Sequence, residues 1–280
     1  MERAEGQAPM ALVQYLSRQI FMEGRRPVSG ERFWEIDALR GTAVVMMVIF
    51  HTVFAVSFLG VRDIDVVEGT WRAFALATAT LFILIAGVSI SVSSARAKAA
   101  LGSFRLALKN LRRGAGIFLV GMGITAATWI FVRPEFVLFG VLHCIGLSIA
   151  LSPLFLRFGR WNLAIGAGIM LIAPFIGNVP GPLSLAWLGV HPADFASLDY
   201  VPVFPWLGVF LVGMSLGASL YPGGQRGFPA SGEERTFTRP VTFLGRHSLP
   251  IYLVHIPVIL LVLALVIPGF PARISSAFLP

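Results

Sequence analysis

Of the 280 residues, 56% are apolar and only 13% charged, and apolar runs approach twenty residues, so an ordinary soluble domain is excluded and a polytopic membrane protein is indicated. The 22 Lys and Arg against 14 Asp and Glu leave a formal charge of +8, which reports membrane topology and an anionic inner leaflet more than nucleic-acid binding. Strand-like alternation is absent, which argues against a barrel.

Residues 1–35 show no secretory signal, lacking a charged start followed by an apolar core and a small-residue cleavage site. Within them Leu12, Leu16 and Ile20 recur at four-residue spacing with Arg18 off the stripe, predicting a short amphipathic segment on the cytoplasmic membrane surface. Residues 36–270 then form an all-α helix bundle of about seven transmembrane helices, expected at 38–60, 71–93, 111–131, 136–156, 161–178, 202–221 and 243–268, before a tail at 271–280. With the N-terminus cytoplasmic and the C-terminus extracytoplasmic, Arg62, Arg72, Arg133 and Arg273 are the only outer cations of the 22, as the retention of Lys and Arg inside requires. The expected location is the inner or plasma membrane of a prokaryote.

The first helix opens on Asp37 and Arg40 and carries His51 in its middle. Asp37 is placed to cap the helix or to pair with Arg40 three residues on. An ionisable side chain at bilayer depth is costly and marks a functional site by default. The basic stretch from Ser93 to Gly114 is helix-prone and predicts packing along the inner surface into the third helix. Glycines at 114, 116, 121 and 123, and the pair Gly213 and Gly217, suit close helix approach. Pro153, Pro174, Pro250 and Pro257 interrupt spans, and each frees a backbone carbonyl. Cys144, the single cysteine, reads as a packing residue and excludes an internal disulfide. The outer loop 179–201, with Trp187, His191, Asp194, Asp199 and Tyr200, reads equally as a cap over a cavity or as a solvated connector. The inner loop 222–240 is flexible by composition, and no internal repeat supports an inverted-repeat transporter.

Three of the five histidines share a depth. His51 lies eleven residues from both Arg40 and Arg62, roughly 16 Å from either border at 1.5 Å per residue. His143 and His255 lie about 12 and 13 Å in from Glu135 and Arg246 by the same reckoning. Each on its own could be a packing residue bonded to a backbone carbonyl, but together they suit proton transfer near neutral pH. A triple-histidine metal site has no His-x-x-His spacing or carboxylate at that depth to support it, and no metal is expected. On the inner side Arg40, Arg112, Arg113, Arg246 and His247 stand at or near helix mouths, where helix N-termini add positive charge. That combination suits a phosphorylated ligand from the cytoplasm, and positive-inside anchoring explains single arginines equally well.

Five segments carry a resemblance: RFWEIDALRGTAVVMMVIFH (32–51), LFILIAGVSISVS (81–93), FGVLHCIGLS (139–148), DYVPVFPWLGVFLVGMSLG (199–217) and FLGRHSLPIYLVHIPV (243–258). In order and spacing they resemble the catalytic-domain family of heparan-alpha-glucosaminide N-acetyltransferases, membrane acyltransferases with compact prokaryotic members. The resemblance implies acetyl transfer from acetyl-CoA, bound from the cytoplasm, to an acceptor hydroxyl or amine, with His51 as general base and His143 or His255 orienting the acceptor. It implies Arg40, Arg112, Arg113, Arg246 and His247 as candidates to hold the coenzyme phosphates, membrane lipids as surroundings, and a homodimer. The animal lysosomal member looks to carry Asn where His51 stands and its catalytic histidine in the following outer loop. That loop here holds Arg62, Asp63, Asp65 and Glu68 and no histidine, which moves the role to His51. The acceptor is unknown, an envelope sugar being one example. Competing readings are a small-solute or proton-coupled transporter using the same histidines, and a non-catalytic module that binds lipid.

Overall fold

The computed structural model describes residues 32–132, 135–177, 179–229 and 236–270. The amphipathic segment around Leu12, Leu16 and Ile20 and the tail 271–280 lie outside the described residues, as do Arg133, Arg235 and Arg273. The described chain is helical, as α1 (Trp34–Phe58), α2 (Gly69–Phe131), α3 (Val141–Phe155), α4 (Asn162–Gly177), α5 (Val203–Leu220), α6 (Arg239–Arg246) and α7 (Ser248–Val266). A single parallel bridge, Phe139 to Tyr200, is the only strand-like pairing among the described residues. Five stretches are long and apolar enough to cross a membrane: Trp34–Phe58, Gly69–Phe131, Val141–Gly177, Val203–Leu220 and Ser248–Val266.

Two of the five reverse direction inside. Drawn out straight, the 63 residues of α2 would reach about 95 Å, three times the roughly 30 Å of a hydrocarbon core. Gly102 breaks it at φ 67°, a conformation that costs glycine nothing and other residues dearly. Asn110 Nδ2 donates to Ser94 Oγ at 3.0 Å and to Ser152 Oγ at 3.3 Å. Sixteen residues of unbroken helix would separate Ser94 from Asn110 by about 24 Å, so the chain doubles back at Gly102. The basic stretch therefore forms the two arms of a helical hairpin. Asn110 is 1% exposed and holds both arms and α3 together. Replacing it with alanine is expected to cost about 1–2 kcal/mol, read as a drop of several degrees in the thermal midpoint in detergent. Likewise Val141–Gly177 turns through Gly159, at φ 51°, between α3 and α4.

At the centre of the bundle stands α5, whose Phe210, Leu211 and Met214 are 0–1% exposed and pack with Ile83, Ile90 and Cys144. It approaches α2 backbone to backbone. A Cβ added at Gly213 would collide with the Leu84 carbonyl, and one at Gly87 with that of Phe210. Of the four glycines singled out on the second arm of α2, Gly114 meets the backbone of Gly146 and Gly121 meets the His143 ring, while Gly116 and Gly123 have open space. By contrast α7 leaves Leu253, Val254, Leu261, Leu265 and Val266 exposed, the surface a lipid-facing helix presents.

The expected span 243–268 is not one helix. It divides at His247 into the end of α6 and the whole of α7. Pro250 explains the division, because it has no N–H for the Arg246 carbonyl four residues back and its ring would strike that carbonyl. In the first turn of α7 the missing donor costs nothing. The break lets α6 lie against α1 at a glycine-on-glycine crossing, where a Cβ at Gly41 would strike the Val241 carbonyl and one at Gly245 the Asp37 carbonyl.

The described part of the loop 222–240 is pinned. Arg226 grips Glu35 with two hydrogen bonds of 2.9 Å, and the Tyr221 hydroxyl donates to the same carboxylate at 3.0 Å. The guanidinium groups of Arg96 and Arg226 stack on the Phe33 ring at 4.4 and 5.1 Å. Glycine and proline supply the turn at 222–224, and charge holds it to the mouth of α1.

Candidate functional site

His51 and His255 meet. Their ring centroids are 4.7 Å apart, edge to face, which bears on the shared depth read from residue counts. His51 Nδ1 lies 2.9 Å from the Met47 carbonyl, and His255 Nδ1 bonds the Tyr252 carbonyl. A carbonyl only accepts, so each Nδ1 carries the proton and each Nε2 of the neutral ring keeps a lone pair. His255 is 7% exposed and its Nε2 is buried with no hydrogen-bond partner. Orphaned buried polar atoms are rare and call for an explanation. Both rings thus carry an unused proton acceptor at Nε2.

Asp199 completes the cluster, and sequence reading gave it no role. Residues 197–201 run beside residues 135–139: Leu198 N–H donates to the Glu135 carbonyl at 2.8 Å, Val201 N–H to that of Phe139 at 2.9 Å, and Ser197 Oγ to that of Phe136 at 2.9 Å. The bridge delivers Asp199 to the start of α3, where its Oδ2 accepts the Val141 N–H at 2.9 Å. A carboxylate is favoured there by the helix dipole and the unmet N–H groups. The Tyr252 hydroxyl also faces Asp199, and the carboxylate lies within electrostatic reach of His51. The loop is thus anchored at this end. Upstream, Tyr200 donates to the Ala186 carbonyl at 2.7 Å, and burial pushes its phenol up to about 12, which keeps it a donor. The usable signal in the sequence was the short run DYVP, an acid placed directly before an apolar span.

His143 stands apart from the pair. It is 1% exposed, and both of its nitrogens are engaged. Nδ1 accepts the Gly140 N–H at 3.1 Å, which leaves Nε2 to donate to Thr125 Oγ1 at 3.3 Å. Thr125 in turn donates to the Val137 carbonyl. Phe118 and Phe139 flank the ring at 5.1 and 5.4 Å. His143 therefore closes the first turn of α3 and reaches the pair through the turn that Asp199 also caps. Among the described residues no three His, Cys, Asp or Glu side chains gather closely enough to hold a metal ion.

On the opposite flank Asp37 is 4% exposed and lies between two guanidinium groups, Arg40 at 2.8 Å and Arg246 at 3.5 Å. Arg40 also donates to Ser89 Oγ at 2.7 Å, joining α1 to α2. Arg113 lies within electrostatic reach of Arg40. Arg112, Arg113, Arg246 and His247 are exposed, and His247 Nδ1 lies 2.9 Å from the Phe243 carbonyl. Arg40 is thus built into the fold and Arg246 is partly committed to Asp37, whereas Arg112, Arg113 and His247 present charge or ring nitrogen outward.

No curated protein and no solved structure matches the chain. The sequence model of one family does, that described as "Heparan-alpha-glucosaminide N-acetyltransferase, catalytic", over residues 32–257. The match begins just before α1 and ends just after His255, so it takes in the histidine pair, Asp199, Arg40, Arg112, Arg113, Arg246 and His247 alike. The chain belongs to the heparan-alpha-glucosaminide N-acetyltransferase catalytic family.

Proposed function

We propose that the protein is a membrane-embedded acyltransferase that moves an acetyl group from cytoplasmic acetyl-CoA to a hydroxyl or amine acceptor, such as an envelope sugar. The observation that carries this reading is the paired imidazoles with unbonded Nε2 atoms, one of them buried and partnerless, in a chain of this family. His51 Nε2 takes the acceptor's proton as the acceptor heteroatom attacks the thioester carbonyl. The carbon–sulfur bond then breaks, and the proton passes on to the departing thiolate. His255 Nε2 accepts a second hydrogen bond from the acceptor and orients it, and backbone N–H groups steady the developing oxyanion. His143 acts at one remove, by holding the start of α3.

The reading assigns seven crossings, with the hairpin at Gly102 supplying two and the turn at Gly159 two more, and the N-terminus cytoplasmic. Arg112, Arg113, Arg246 and His247 then face the side from which the coenzyme comes, with Arg40 behind them. Replacing Arg112 and Arg113 together with alanine is expected to raise KM for acetyl-CoA by about 10- to 100-fold, the worth of a charge-assisted hydrogen bond. Little change in kcat should accompany it, as steady-state kinetics would show.

The decisive experiment incubates purified protein with acetyl-CoA and a panel of sugars and amines. It follows free CoA with a thiol reagent and coenzyme binding by calorimetry. Release that depends on an acceptor supports the reading, and absence of both binding and release ends it. Solute flux in vesicles without thioester cleavage would instead point to a proton relay.

A further inference from the structure

The mechanism above leaves Asp199 without a task, although four separate elements converge on it. From α3 comes the Val141 N–H, and from α7 the Tyr252 hydroxyl. From α1 comes the His51 ring, and the bridge to residues 135–139 fixes the backbone on which Asp199 sits. The contact with Gly140 is so close that a Cβ there would strike the carboxylate. An acid held by this many partners is placed, not incidental. The other titratable groups around it are His255 beside His51, His143 in the same α3 turn, and Cys144 one residue on.

We propose that Asp199 is a positioning residue for the histidine pair, holding α7 in register through Tyr252 and setting its negative charge against the His51 ring. The proposal rests on the acyltransferase reading. When His51 takes the acceptor's proton its ring becomes cationic, and a fixed carboxylate stabilises that cation as a preorganised partner. Burial raises the Asp199 pKa, the Val141 N–H, His51 and Tyr252 oppose that rise by favouring the carboxylate, and no proton moves onto it in this step. Through Tyr252, whose carbonyl takes the His255 Nδ1 hydrogen bond, the same carboxylate steadies the second ring. One loop residue thereby fixes both imidazoles, which belong to helices far apart in the chain.

Asp199→Asn separates charge from scaffolding, because the amide oxygen can still accept from the Val141 N–H. The expected result is a kcat about 100-fold lower, KM for acetyl-CoA within about twofold, and a thermal midpoint close to that of the parent. Asp199→Glu, which restores the charge on a longer arm, should recover about tenfold of the loss. An independent readout is the imidazole 15N spectrum of histidine-labelled protein, in which the His51 resonances, assigned with His51→Gln, should move in Asp199→Asn. Wild-type kcat in Asp199→Asn with an unmoved His51 spectrum would overturn the proposal. Should that variant fail to fold, Tyr252→Phe takes its place, with an expected kcat about tenfold lower; parental kcat there overturns the proposal equally. If the parent protein releases no CoA, the acyltransferase reading fails by itself, and the His51 spectrum alone then decides whether Asp199 sets that ring.

Discussion

Replacing His51 with alanine is expected to abolish turnover, lowering kcat by about 10³-fold or more while acetyl-CoA still binds with a Kd within about twofold of the parent. The split follows from where the ring sits. His51 projects from the middle of α1, fixed at Nδ1 by the Met47 carbonyl and edge-on to His255. The cations assigned to the coenzyme phosphates lie elsewhere, Arg112 and Arg113 well along the second arm of α2 and not at its mouth as expected, and Arg246 and His247 at the break between α6 and α7. Loss of the imidazole removes the proton acceptor and leaves those cations untouched. His51→Gln keeps hydrogen-bonding capacity without basicity and should be as inactive. His255→Gln removes an orienting contact and not the base, and should cost less, about tenfold. Acceptor-dependent CoA release together with calorimetric titration checks all three. Normal turnover in His51→Ala would remove His51 from the mechanism.

Gly245→Val is expected to be the most damaging substitution away from the histidines. Its Cβ would land on the Asp37 carbonyl oxygen, a backbone atom that cannot rotate aside, so α6 must back away from α1. Overpacking of this kind costs about 1–3 kcal/mol. Retreat of α6 also draws the part-exposed Arg246 off Asp37, which keeps Arg40 as its partner, and loss of such a pair adds about 0.5–1 kcal/mol. Folded yield by size-exclusion chromatography in detergent should drop, and the thermal midpoint should fall by about 5–10 °C. Gly116→Ala is the matched control. Nothing lies within 4 Å of its added Cβ, and alanine is the better helix former by about 1 kcal/mol. Equal stability of the two variants would show that α1 and α6 do not cross this closely.

What could be read along the chain was whatever depends on near neighbours. Runs of apolar residues identified helices of membrane length because burying backbone in lipid demands them. The Asp37–Arg40 pair followed from three-residue spacing, since residues three and four apart share a helix face, and it is present at 2.8 Å. The break at His247 was missed because Arg246, His247 and Ser248 read as the polar mouth of one continuous span. It was nonetheless written in Pro250, whose effect falls four residues upstream. The shared depth of the histidines came from rise per residue, but depth is only one coordinate. In helices apolar all round, periodicity gives no angular preference. Nothing local could tell that His51 and His255 meet while His143 turns its nitrogens to Gly140 and Thr125.

By itself, then, the sequence determined an all-helical membrane chain, its family, and a histidine set deep in the first helix, all properties carried by short windows of residues. Tertiary structure alone decided which histidine has a partner ring, that Arg40 is committed also to Ser89 and the Gly245 carbonyl, and that Asp199 reaches the start of α3. Those contacts join positions 49 to 205 residues apart: 49 for Arg40 to Ser89, 58 for Asp199 to Val141, and 205 for Arg40 to the Gly245 carbonyl. Such pairings are set by how whole helices pack and turn about their axes, which no stretch of apolar sequence specifies.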